Sequence, residues 1–148
     1  EVEEGTTLAG LAGLAARRFA GGGERGRLVL EGLLEREGLS SQVIPELGIV
    51  LLHCLTGGAD CPALGLAVPR GGVFTDPRLR GSRACVILLM PPGAPPERLE
   101  LMGCVSSALV ADEAFLAAVK GLGGSPRELL GGVLRGFLDA YIARNWKG

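Results

Sequence analysis

The chain has 148 residues, 47% of them hydrophobic and only 4% aromatic, with 15 Lys and Arg against 16 Asp and Glu for a net charge of −1. That length suits a single domain with a real core, and the near-zero charge supplies no field to draw in nucleic acid or an anionic membrane. No apolar run approaches the ~20 residues of a membrane helix; the longest, Ala84-Cys85-Val86-Ile87-Leu88-Leu89-Met90, fits a buried strand.

The 25 Gly and 9 Pro are scattered without period, which implies many tight connections rather than a low-complexity tract. The opening Glu1-Val2-Glu3-Glu4 has neither an initiator Met nor the order of a signal peptide, and reads as a cut inside a longer protein. Cys54, Cys61, Cys85 and Cys104 form no C-x-x-C pair, and Cys85 lies in a strongly apolar segment that suits a reduced thiol. A cytoplasmic location is expected.

From Thr7 to Ala20, apolar residues at Leu8, Leu11, Leu14, Ala15 and Phe19 recur at three and four, predicting a first helix. Gly21-Gly22-Gly23 ends it, and Glu24 to Glu37 repeats the pattern through Leu28, Val29, Leu30, Leu33 and Leu34. Gly48-Ile49-Val50-Leu51-Leu52-His53 then reads as a short apolar strand ending at His53. Further strands are predicted at Ala63 to Val68 and Ser82 to Met90, with a brief extra one near Val73-Phe74. After the turn Pro91 to Pro96, helical spacing returns at Leu99, Met102, Val105 and Leu109. Asp112 suits the N-cap of the next helix, and Ser125-Pro126-Arg127-Glu128 is a capping box with Pro at the first helical position. Helices, then strands, then helices predict an α/β (α+β) domain over residues 1–148: one mixed sheet of four to five strands with helices on both faces.

His53 is the sole histidine, and the polar, Gly-containing loop Cys54-Leu55-Thr56-Gly57-Gly58 follows it. Sites are built at strand ends of such sheets, and a neutral imidazole, with a reference pKa of about 6.5, is a competent nucleophile for phosphoryl transfer. The plainer alternative is a histidine satisfied by a backbone partner at a strand terminus. A zinc set of His53, Cys54, Cys61 and Cys85 is disfavoured, since adjacent His-Cys and wide spacings match no closed structural site; neither a metal nor a cofactor is expected. Arg78, Arg80 and Arg83 read as a solvated basic loop in preference to a docking patch, and Tyr141 and Trp146 as core or a staple for the last helix in preference to an interdomain contact.

Leu34-Glu35-Arg36-Glu37-Gly38-Leu39-Ser40-Ser41 followed by Gly48 to His53 resembles the signature of the enzyme IIA domains of the bacterial phosphotransferase system, mannitol/fructose class. The resemblance runs from about residue 7 to 142, taking in the strand Cys85 to Met90 and the helices at Leu99 to Leu109, Asp112 to Val119 and Ser125 to Leu130. It implies that His53 accepts a phosphoryl group from phospho-HPr and that Arg36 stabilises it, a role suited to a guanidinium. Otherwise Arg36 is an ordinary solvated cation at a helix end.

Two departures stand out: Leu52 precedes the histidine where transport members have Pro, and Arg98 aligns with a second histidine. An arginine there supplies charge but shuttles no proton at neutral pH. In the hydrophobic residue before the histidine, in the helix Leu101 to Leu109 and in Phe137 and Tyr141 of the terminal helix, the chain is most similar to the enzyme IIA-like domains at the C-terminus of mannitol-activator and antiterminator-type transcriptional regulators. The resemblance implies a regulatory phosphoryl-accepting domain that reports sugar availability, with an HPr-type phosphocarrier and the parent regulator's other domains as partners and no nucleic-acid binding of its own. The alternatives are a transport-type enzyme IIA that passes phosphate to a IIB component, and a non-phosphorylated interaction module of the same fold.

Overall fold

The computed structural model describes residues 1–39, 43–44, 48–79 and 81–93, with residue 135 in addition. Two compact units make up the chain, Glu1–Gly93 and Ala94–Gly148, and every element named below belongs to the first. Helix α1 spans Leu8–Ala20. Its N-cap is Thr7, whose hydroxyl accepts from the Gly10 N–H at 3.1 Å, and Leu8, Leu11, Ala12, Ala15 and Ala16 form its buried stripe. The chain leaves through Gly21 at φ 72° and turns into α2, Gly23–Leu39, which packs against α1.

Four strands follow: β1 Val43–Ile44, β2 Ile49–Leu55, β3 Ala63–Ala67 and β4 Ala84–Met90. Their order in the sheet is β1-β2-β4-β3, with β2 and β4 parallel and both outer pairings antiparallel. Every residue of β4 is buried, as its unbroken apolar run requires of a central strand. Strand alternation sends Val50, Leu52 and Cys54 of β2, with Cys85, Ile87 and Leu89 of β4, into one cluster with the buried faces of α1 and α2. Each Leu so buried contributes roughly 2 kcal/mol. The opposite face carries Ile49, Leu51, His53 and Leu55 of β2; Ile49 and Leu51 are buried, His53 is half-buried and Leu55 is exposed.

The segment between β3 and β4 is tied to the N-terminus. Val2 bridges Pro69, the Thr75 N–H donates to the Glu4 carbonyl at 3.0 Å, and Arg70 pairs with Glu3 at 2.7 Å. Asp76 receives two N–H donors on separate oxygens, Leu8 at 3.0 Å and Arg78 at 2.8 Å. It thereby caps α1 from a distant part of the chain.

The α/β class and the mixed four-strand sheet match expectation, with both described helices on one face. Three details differ. β2 does not end at His53: the ladder continues through His53↔Leu88, Cys54↔Leu89 and Leu55↔Met90. No strand forms at Val73-Phe74; one bond, Phe74 N–H to the Ser82 carbonyl at 2.8 Å, holds the segment while the Phe74 ring, 1% exposed, fills the core. The two-residue β1 was not anticipated. The helices predicted from Leu99, Asp112 and Ser125 lie outside the described residues.

Candidate functional site

β2 holds His53 by pairing on its β4 side, opposite Leu88, and the side chain alternates to the face away from Cys54. That face is not the one α2 covers. The Cys54 sulfur lies 3.2 Å from where a Cβ would stand on Gly32 of α2, so the helix meets the sheet on the Cys54 side. His53 is half-buried, its Nδ1 shielded from solvent and without a hydrogen-bond partner among the described residues. Burial closes Nδ1 to an incoming group, so a group that reacts with the ring must do so through Nε2.

Desolvation lowers the His53 pKa below its ordinary 6.5, and the positive charge of Arg36 lowers it further. The imidazole is therefore neutral at neutral pH. An unpartnered buried nitrogen costs on the order of 1–3 kcal/mol, and neutrality keeps that cost from becoming the much larger one of a buried charge.

Arg36 occupies the last turn of α2, where a cation opposes the helix dipole. It is half-buried and forms no salt bridge among the described residues. No hydrogen bond joins it to His53, so its influence is that of a fixed charge near the ring. Its neighbour Glu37 is 7% exposed. Leu52, at the position where Pro was noted as usual, is a core residue at 1% exposure. Arg98 lies outside the described residues, as does Arg80; Arg78 and Arg83 are exposed on the surface.

Downstream of His53 the chain is pinned. The Thr56 N–H donates to the Met90 carbonyl at 2.8 Å, the Thr56 hydroxyl accepts from Gly58 N–H at 3.1 Å, and the Arg25 guanidinium donates twice to the Gly58 carbonyl at 3.3 Å. The cysteines add no reactive group here. Burial raises Cys54 to about 11 and Cys85 well above the ordinary thiol range. Adjacent on one strand, His53 and Cys54 point to opposite faces, and among the described residues no three His, Cys, Asp or Glu side chains converge as a metal site.

Sequence reasoning did not single out Leu55. It is 54% exposed and shares a strand face with His53 two residues away. Extending the period-two alternation past His53 reveals it. A half-buried neutral imidazole with a cation nearby has the elements needed to accept an anionic group.

No family model and no curated protein matches this sequence. Among solved structures it is similar to the crystal structure of nitrogen regulatory protein IIA-Ntr from Neisseria meningitidis, with a TM-score of 0.62 and 23% sequence identity over 90% of this chain and 88% of that one. At that identity the likeness concerns the fold, of the enzyme IIA kind, whose described residues form a mixed four-strand sheet with α1 and α2.

Proposed function

We propose that residues 1–148 form one regulatory enzyme IIA-like domain in which Nε2 of His53 accepts a phosphoryl group from an HPr-type phosphocarrier. The observation that carries this reading is the state of His53, neutral, closed at Nδ1 and within the field of Arg36, on a central strand of an enzyme IIA-like fold. In the transfer, Nε2 attacks the phosphorus of the donor's phosphohistidine. The donor's P–N bond breaks as the new one forms, and the donor imidazole keeps the electron pair. The His53 proton stays on Nδ1, and Arg36 offsets the charge that arrives.

Addition of about two negative charges to a half-buried strand face is a strong local perturbation, suited to shifting contact with a neighbouring domain of a parent transcriptional regulator. The regulatory sense is favoured by the fold's likeness to a protein that bears nitrogen regulation in its name. Sugar availability as the reported signal, the mannitol/fructose class and a cytoplasmic setting belong to the same reading. No helix among the described residues is long and apolar enough to cross a membrane.

Intact-mass spectrometry after incubation with phosphoenolpyruvate, enzyme I and HPr tests the reading, with His53→Ala alongside. One phosphoryl adduct is expected on the wild type and none on the variant. An adduct that persists in His53→Ala overturns the assignment, and a folded wild type that takes no phosphate supports the interaction module instead. Rapid onward transfer to a IIB component makes the protein a transport-type enzyme IIA.

A further inference from the structure

β3 is the outer strand of the sheet, and from Ala63 to Ala67 its far side has no partner strand among the described residues. Two sets of hydrogen bonds fix which of its peptide groups face that side. The Met90 carbonyl of β4 accepts from Thr56 on the β2 side, so by alternation Leu89, Ile87 and Cys85 bond toward β3, onto Ala63, Gly65 and Ala67. Further along the chain, the Val68 carbonyl and the Arg70 N–H turn outward to Val2, at 2.9 Å each. Both observations put the N–H and C=O of Leu64 and Leu66 on the open edge. Edge strands are ordinarily blunted by charge, proline or a bulge, yet Ala63-Leu64-Gly65-Leu66-Ala67 contains neither a charge nor a proline. Pro62 marks one end of the open stretch, and the bridge between Val2 and Pro69 closes the other.

We infer that a second copy of this chain pairs along this edge, β3 against β3, antiparallel about a two-fold axis through Gly65. The strand reads the same in both directions, so this pairing sets Leu64 opposite Leu66, Ala63 opposite Ala67 and Gly65 opposite its own counterpart. Leu64 and Leu66 then exchange N–H···O bonds with each other across the axis, and every outward peptide group of the strand is used. A shift of two residues breaks the match. It sets Leu64 opposite Val68, whose carbonyl Val2 already holds, or Leu66 opposite Pro62, which has no N–H to give. Gly65 falls at the close, non-hydrogen-bonded position, where Cα atoms approach to about 4.5 Å. On that face the Phe19 ring lies 2.6 Å from where a Cβ would stand on Gly65, so the half-buried rings of the two copies meet over the axis. On the other face the half-buried Leu64 and Leu66 side chains pair with their counterparts and lose water-exposed apolar surface. The inference stands apart from the reading of His53.

Sedimentation velocity of the whole chain from micromolar to millimolar concentration tests it, with amide exchange followed by NMR at both ends of that range. A monomer–dimer equilibrium is expected, in which the Leu64 and Leu66 amides exchange roughly tenfold more slowly or better at the high end, while Gly65 and Ala67 are protected throughout by β4. Leu66→Pro deletes an outward N–H and spares the β4 ladder, so it should weaken dimerisation by roughly tenfold or more. Leu66→Val keeps the N–H and should stay near wild type. A chain that remains monomeric across the range overturns the inference, as does a dimer in which Leu64 and Leu66 exchange no more slowly than in the monomer. Undiminished dimerisation of folded Leu66→Pro overturns it as well, and if that variant does not fold the wild-type exchange decides.

Discussion

Arg25 and Gly58 are locked together twice over. The Arg25 guanidinium donates two hydrogen bonds to the Gly58 carbonyl at 3.3 Å, and the Arg25 backbone carbonyl lies so close to Gly58 that an added Cβ would collide with it. The same Cβ would stand 2.8 Å from the Val29 side chain, which is itself fully buried. The loop leaving β2 is therefore pressed onto the first turns of α2, and the end of the strand that holds His53 is set by that contact.

Gly58→Ala is expected to destabilise the protein by about 3 kcal/mol, because its nearest obstacle is backbone and cannot swing aside. Arg25→Ala is expected to cost about 1 kcal/mol: its pair with Asp60, at 2.7 Å, is exposed on both sides, and its bonds to the Gly58 carbonyl are long at 3.3 Å. Urea midpoints for the two variants separate steric contact from hydrogen bonding. A larger loss for Arg25→Ala than for Gly58→Ala overturns the account of the loop as held by packing.

Asp76 offers a second test, on a bond that spans 68 residues of sequence. Its carboxylate satisfies the Leu8 N–H at the first turn of α1, where Thr7 already satisfies Gly10. Asp76→Ala strands that donor and releases the Arg78 N–H as well, so a loss of about 1–2 kcal/mol is expected; Asp76→Asn recovers only part of it, because its single amide oxygen can accept one of the two N–H groups while its NH2 faces the other. Hydrogen exchange at Leu8 should quicken in the alanine variant before exchange in β4 does. Uniform acceleration across the sheet would mean that Asp76 holds the whole fold rather than the helix start.

The elements that were legible in the sequence are those with a strong period or an unbroken apolar run. The stripe at Leu8, Leu11 and Ala15 gave α1 to within a residue, and Ala84 to Met90 gave the central strand. Two kinds of information escaped. The end of β2 depends on pairing with β4, a contact between residues more than thirty apart, so the strand extends past the histidine that local pattern took as its end. Phe74 looked like a strand residue by composition, but its ring is used as a core plug from an irregular segment, a choice made by tertiary packing rather than propensity. At the site, the chemical type of His53 was readable, while its orphaned Nδ1 and the open position of Leu55 required the register of the sheet.

Thiol chemistry separates the cysteines by burial. Cys54, raised to about 11, and Cys85, raised further, are almost wholly protonated at neutral pH and have no access to reagent, whereas Cys61 is exposed. Iodoacetamide followed by peptide mapping should label Cys61 first among the three described cysteines, with Cys54 and Cys85 modified only as the protein unfolds. Rapid labelling of Cys54 in the folded protein would mean that α2 lifts off β2 in solution, and the Gly32–Cys54 contact would then be transient.

His53 makes stability depend on pH in a direction that is fixed by its environment. Its folded pKa is lowered, first by burial and then by Arg36, while the unfolded chain returns it to 6.5. Above 6.5 the ring is neutral in both states and adds no pH dependence. As pH falls from 6.5 toward the folded pKa, the unfolded chain binds the proton and the native state does not, so stability drops; below the folded pKa both are protonated and the loss levels off. Wild-type protein should therefore lose stability across that window by an amount that His53→Gln does not show. The ring's NMR titration should have its midpoint below 6.5 in the wild type, and Arg36→Gln should move it upward without reaching 6.5, because burial is the larger cause and remains. A wild-type midpoint above 6.5 would mean that His53 gains a partner in solution, and the neutral ring on which phosphoryl acceptance depends would no longer describe the resting site.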